Sequence, residues 1–409
     1  MAALQVFQSA AEETLQSGAG PNEERHRRVS EAQMNINENV KPTNTISAYL
    51  AGFLVHATQI GVGVLGYQRI VAGEAGHDAW ISVLLAGLAT HLTVLVIIKT
   101  LQCYPSADIY GIQLDVFGKW LGTVFGTMYA IYFFLSATVI LRTYIEVVQT
   151  WVFPNLPTWV LSAIILFLAI YTIMGGIRVV AGYTFFSVSV TIWLVCDLYY
   201  PLQYAQWEYL FPILEASAGQ LLKGMLAMTL SNIGFEILYA IYPYIQNKER
   251  LPRSVQTGVL VTNLIYTFVM IVSLVFFSEG QLMRTIWATL NLKKMVYFPI
   301  LERFELIAIS IWLLVVLPNI MVFIWSSARG FKRLFGWNLR SSMLMILPVI
   351  YLISLFLVSR NDINKLNDIF AKIGLYMAYV YPFFLFVLVK WKQRKRRLKE
   401  GAADATVQK

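Results

Sequence analysis

Residues 231–236 read Ser231-Asn232-Ile233-Gly234-Phe235-Glu236, and Glu236 is the single charge in the stretch 224–247. A helix crossing a ~30 Å hydrocarbon layer needs about 20 mostly apolar residues, and this stretch has that length. Gly234 loosens the helix, Asn232 competes for backbone hydrogen bonds, and Glu236 sets a carboxylate near the centre. An ionisable group inside a membrane is costly enough that function is the default reading, with a structural salt bridge as the plainer one. A second weak stretch lies in the run 42–68, where the chain reads Gln59-Ile60-Gly61-Val62-Gly63-Val64-Leu65-Gly66. Each glycine weakens a helix by about 1 kcal/mol. Such weakness survives in lipid only where the backbone is buried in protein or lines a cavity. The Gly-X-Gly spacing does not match the four-residue repeat of close helix packing, so an unwound segment is expected.

Working outward, eight further runs lack Asp, Glu, Lys and Arg: 79–98, 120–141, 155–177, 179–196, 254–278, 306–328, 341–359 and 373–389. Barrel strands alternate over about 10 residues, whereas these runs are apolar throughout. The expectation is an all-α integral membrane protein of ten transmembrane helices. Composition agrees: 57% of the 409 residues are hydrophobic and 13% charged, about half the charge of a soluble domain. The mean hydropathy is +0.61. A disordered chain and an ordinary soluble enzyme are excluded on these numbers. Two cysteines make no disulfide framework, and no Cys/His spacing suggests a metal site. Neither a cofactor nor a nucleophile arrangement is indicated, so no enzyme is expected.

The net charge of +9 does not point to nucleic acid, because the basic residues lie between and after the apolar runs. Of 32 Lys and Arg residues, 22 fall in the tails and the even-numbered loops, 9 in the other loops, and Arg142 lies within the third run. By the positive-inside rule both termini are cytoplasmic. Residues 1–44 read as a polar N-terminal tail, 45–390 as the membrane domain, and 391–409 as a basic C-terminal tail with a possible contact to membrane lipid. Residues 1–33 are expected to take no part in ligand sensing, with Met34 as an alternative start.

Weakened helices one and six hold corresponding positions in two five-helix halves. That is the sign of an inverted 5+5 repeat transporter-like fold with its ligand at the breaks. Freed backbone groups and half-helix dipoles suit a zwitterion such as an amino acid. The candidate ligand-binding residues are Gly61, Val62, Gly63, Val64, Ser231, Asn232, Gly234, Phe235 and Glu236, together with Tyr129 and Tyr132, which can share a face of helix three with Ser136. The tyrosines read equally as helix packing. Ser310, near Pro318-Asn319 in helix eight, is a candidate ion-binding residue, or the group serves to repair a proline kink. His56 and His91 read as packing histidines, and Arg142 with Glu146 as a structural ion pair. Residues 281–292 suggest a short helix outside, and 106–117 an amphipathic helix inside.

Ile60-Gly61-Val62-Gly63-Val64-Leu65, followed by His77-Asp78-Ala79-Trp80-Ile81-Ser82 and the run through Leu88, resembles the B-type subunits of spore germinant receptors. These are relatives of the amino acid–polyamine–organocation permeases. Gly122–Gly126 and Gly234-Phe235-Glu236 extend the likeness, which covers roughly residues 45–390. The resemblance implies an endospore-forming bacterium, the spore inner membrane, and assembly with an A-type subunit and a C-type lipoprotein. It further implies that the protein senses a small nutrient, commonly an amino acid, to trigger germination. An ion-coupled amino acid permease is the alternative.

Overall fold

The computed structural model describes residues 36–297 and 303–407, with side chains to residue 398. Residues 1–33 and Met34 lie outside the described residues. Seven helical stretches are long and apolar enough to cross a membrane. They supply spans two (Ala79–Leu101), three (the part of Ile109–Trp151 beyond a turn at Gly118), five (Ile177–Thr191, continuing to Leu202), seven (Leu251–Phe276), eight (Phe304–Phe335), nine (Leu339–Phe356) and ten. The apolar helix Thr158–Met174 is span four. Spans one and six are the broken ones, which completes ten among the described residues.

Span one is helical over Ala48–Gln59, where Ser47 accepts from Leu50 N at 3.3 Å as its N-cap, and again over Gln68–Ala75. Between them lies a single 3-10 turn, Gly63–Leu65. Span six runs through Ala218–Ala227 and Thr229–Asn232, stops at Ile233 and Gly234, and resumes at Phe235. Its second half is tightly wound, through Phe235–Ile237, Leu238–Ile241 and Tyr242–Tyr244. A short parallel bridge, Ile46↔Ile245 and Ser47↔Gln246, joins the start of span one to the end of span six.

Span eight stands in the middle of the bundle: 72% of its most apolar stretch is buried, against 28% for spans nine and ten, which form the rim. It packs on span three, where Ser327 Oγ donates to Ala130 O at 2.7 Å. Span seven packs on the first half of span one and on span two. Phe167, Tyr171, Leu352 and Phe356 are exposed on spans four and nine, as lipid-facing residues should be.

The charged loops segregate. Lys248 donates to Pro105 O, Arg333 to Asp108, and Lys392 and Arg396 pair with Asp115, so one end collects the basic residues of the even-numbered loops and C-terminal run. Glu38 pairs with Arg329 and its backbone N donates to Ser106 O, so residues 36–44 belong to the folded body. The last helix, Tyr381–Val407, passes residue 390 without interruption. It starts early too, because the helix Arg360–Gly374 and a π-helical segment, Leu375–Val380, lead directly into it.

Two smaller expectations change. Residues 281–292 form two short helices, Glu279–Arg284 and Ala288–Lys293. Glu146 pairs with Arg360 at 2.5 Å, while Arg142 donates to Leu357 O at 2.6 Å, so Arg142 lies near Glu146 without being its hydrogen-bonded ion-pair partner. Asp197 is buried in a 2.6 Å ion pair with Lys293. Cys103 and Cys196 are both free.

A candidate ligand site between two broken helices

A helix break exposes carbonyl groups that lipid cannot satisfy, so each must find a partner inside the protein. The break in span one is held from outside itself. Tyr266 Oη of span seven lies 3.0 Å from Gln59 O, Trp312 Nε1 donates to Gly61 O at 3.2 Å, and Thr289 Oγ1 donates to Val64 O at 2.7 Å. Asn319 Nδ2 reaches Ala57 O at 2.9 Å and Ile60 O at 3.3 Å.

Span one in turn holds the break in span six. Thr58 Oγ1 donates to Gly234 O at 3.0 Å, and Gln59 Nε2 donates to Asn232 O at 2.9 Å. Tyr266 Oη is also 2.7 Å from Ser231 O, so one hydroxyl touches both breaks. Glu236 closes its own break. Its Oε2 accepts from Gly234 N at 2.8 Å and its Oε1 from Tyr132 Oη at 2.6 Å. Gly234 has φ +127°, and a Cβ there would sit 2.3 Å from Thr58 O; only glycine meets both demands.

A cavity of about 140 Å³ opens between the breaks. Of the candidate residues, Gly61, Val62, Gly63 and Ser231 line it, joined by Ser136 of span three. Glu236, Tyr132, Tyr129, Asn232, Gly234 and Phe235 do not line it. They are buried behind the break, with Tyr129 Oη on Met377 O at 2.7 Å, Asn232 Nδ2 on Thr90 Oγ1 at 2.9 Å and the Phe235 ring against Tyr379 at 5.2 Å. Val64 faces a separate small cavity on the far side of the break.

Ser310 does not reach the break either. Its exposed hydroxyl donates to Leu306 O of its own helix at 2.9 Å. The residue of span eight that does reach it is Asn319. Nine residues at 100° each place two side chains on opposite faces of a helix.

Several wall residues went unread in the sequence. Arg360, Asn364, Asn367 and Phe370 line the cavity from the helix Arg360–Gly374. Their three- and four-residue spacing on an otherwise polar segment was the available signal. Gln59, Arg69, Trp287, Asn319 and Phe323 are also among the lining residues. Arg69 has no ion pair among the described residues, and Arg360 lies over the Trp287 ring at 5.6 Å. Three buried polar atoms of this wall lack a hydrogen-bond partner among the described residues: Gln59 Oε1, Asn319 Oδ1 and Trp287 Nε1. Buried polar atoms without partners are rare in native proteins and call for an explanation.

The end of the molecule opposite Arg69 and Arg360 is shut. Buried Arg329 pairs with Glu38 and lies over the Tyr244 ring at 5.3 Å, while Tyr244 Oη reaches Glu38 Oε1 at 3.3 Å. Next to it Arg333 Nε is 3.1 Å from Asp108 Oδ2, and Asp108 caps its helix through Gly111 N at 2.8 Å. Burial pushes the Asp108 carboxyl up, against the pull of Arg333 and Arg329.

Known proteins share this fold and, separately, this sequence family. Among solved structures, MhsT in complex with L-phenylalanine aligns with a TM-score of 0.56 at 14% identity, covering 83% of this chain and 97% of that one. Mhp1, a nucleobase-cation-symport-1 family transporter with bromovinylhydantoin bound, aligns at 0.57 and 13%, covering 83% and 78%. At those identities the likeness shows the fold, which is transporter-like. Sequence relatives are nearer. The spore germination protein GerQB of Bacillus cereus is 39% identical over 86% of this chain and 98% of its own length. The spore germination protein YndE of Bacillus subtilis (strain 168) is 28% identical over the same shares. A family model described as spore germination protein matches residues 45–363. The chain therefore belongs to the spore germination protein family, as a multi-pass membrane protein with the fold of a permease.

Proposed function

We propose that this chain is the nutrient-sensing B-type subunit of a spore germinant receptor, and that it binds a small zwitterion, an amino acid being the fitting class, in the cavity between the breaks. The observation that carries the reading is the unpaired chemistry of the wall. Gln59 Oε1 and Asn319 Oδ1 are acceptors suited to an ammonium group, while Trp287 Nε1 and Arg69 are donors suited to a carboxylate, with Arg360, already paired to Glu146, adding positive charge beside them. Val139, Ile140, Phe323 and Phe370 give a side chain an apolar bed. MhsT, which shares the fold, has L-phenylalanine in its solved complex.

In this reading the Arg69–Arg360 end faces outward and the basic end faces the cytoplasm, with both termini there. The membrane is the spore inner membrane, and A-type and C-type subunits pass on the conformational change. Ligand acts by contacting one arrangement of the breaks better than another. The test compares spores holding equal amounts of natural protein and of Gly61→Leu, whose side chain fills the cavity. The variant should lose its response to nutrient while remaining in the membrane; a natural dose curve for it removes the cavity from the reading. The transporter folds of the neighbours favour one second reading, an ion-coupled amino acid permease. Labelled amino acid accumulating in proteoliposomes of the purified chain would select it.

A further inference from the structure

Asn319 makes an arrangement that repair of a helix kink does not require. Pro318 has no N–H, which releases Leu314 O, and that carbonyl is already taken by Ser187 Oγ at 2.5 Å. The Asn319 amide nitrogen instead stands among three carbonyl oxygens, Ala57 O at 2.9 Å, Ile60 O at 3.3 Å and Val315 O at 2.9 Å. Two of the three belong to span one. An amide NH2 has two hydrogens, so three acceptors crowd one neutral group in a fully buried site. Ala57 and Ile60 close the first half of span one, where the helix dipole is negative. Carbonyl oxygens converging at a helix end and a break are the usual means of holding a monovalent cation in a membrane protein.

We propose that the Asn319 amide nitrogen occupies the place of a coupling cation, fastening span eight to the break of span one so that the protein needs no sodium, lithium or potassium ion there. The other end of the same amide, Oδ1, is unpaired and lines the cavity. A ligand N–H bound to Oδ1 polarises the amide and strengthens its bonds to Ala57 O and Ile60 O. The side chain then transmits occupancy to the break, a role that transport proteins assign to an ion. The inference goes beyond the nutrient site and rests on it only for the part played by Oδ1.

The test is thermal unfolding of the purified full chain without nutrient, in choline, sodium, lithium or potassium chloride at one ionic strength. The natural protein should unfold at one midpoint in all four salts. Asn319→Ser and Asn319→Asp expose the carbonyls, the second adding a charge, and should unfold earlier in choline and regain stability saturably with one of the metal cations. A variant recovered in folded form only with such a cation counts as the same result. A cation-specific rise in the natural protein overturns the proposal whatever the variants do. Folded variants indifferent to every cation overturn it as well. Because no nutrient is present, failure here leaves the ligand site standing, and an unresponsive cavity leaves this result standing.

Discussion

The two breaks look alike in sequence, each a glycine-bearing weakness within an apolar helix, yet they are built on different plans. The break in span one is eight residues long, Ile60 to Tyr67, and its carbonyls are held by spans seven and eight and the helix Ala288–Lys293. The break in span six is two residues long, is tied to span one through Thr58 and Gln59, and is closed by its own Glu236. One break is suspended among neighbours and lines the cavity with Gly61, Val62 and Gly63; the other is clasped onto the first and meets the cavity at Ile233, beside Ser231, while its Gly234 and Glu236 lie behind it. The difference assigns their parts. In the proposed reading, movement of span one against its neighbours would change the candidate site, and span six would be carried along by its direct bonds to Thr58 and Gln59. The Glu236 carboxylate therefore belongs to the clasp, and the neutral amides of Gln59 and Asn319 to the cavity wall.

This division of labour can be broken most severely at Gly234. Gly234→Ala drives a Cβ into Thr58 O in a backbone conformation that disfavours side chains. It should destabilise by about 3 kcal/mol or more, read as lost protein in the membrane fraction; natural levels would dissolve the clasp. Next comes Tyr266→Phe, which strips the one hydroxyl shared by both breaks. Two buried carbonyls lose that partner, for about 2 kcal/mol, and the response to nutrient should fall with it. A lower unfolding midpoint with an unchanged response would separate stability from coupling.

Glu236→Gln is milder. The Gln oxygen can still accept from Tyr132, but its NH2 then faces Gly234 N, so one hydrogen bond is lost. The nutrient concentration for half-response should shift roughly tenfold, equivalent to about 1.4 kcal/mol, and Glu236→Asp should shift it less. The smallest effect is expected at Gly61→Ala, because a Cβ there meets Asn319 Oδ1 at an ordinary 3.7 Å. Insertion and unfolding should be natural and the dose curve nearly so. Gly63→Ala sharpens the contrast, since its Cβ would approach Ser231 Oγ to 2.8 Å and press the two breaks apart. Equal effects at 61 and 63 would mean that the breaks do not touch there.

The membrane class, the ten spans, the gathering of the basic loops at one end and the positions of both breaks were legible in the sequence. Each depends on local quantities: length of apolar run, glycine content and loop charge. Part of the site was legible on the same grounds, since a break must expose its own backbone, and Gly61, Val62, Gly63 and Ser231 do border the cavity. The first half of span ten was not, because Arg360–Gly374 is polar enough to read as a loop. Nor could spacing show that Glu146 would choose Arg360 over Arg142, or that Asn319 and not Ser310 would turn toward span one. A chain in lipid must satisfy every backbone group within the protein. The sequence by itself determined where the helices would leave such groups unsatisfied; the tertiary structure alone decided which distant side chains would meet them, because that depends on how ten helices are rotated against one another.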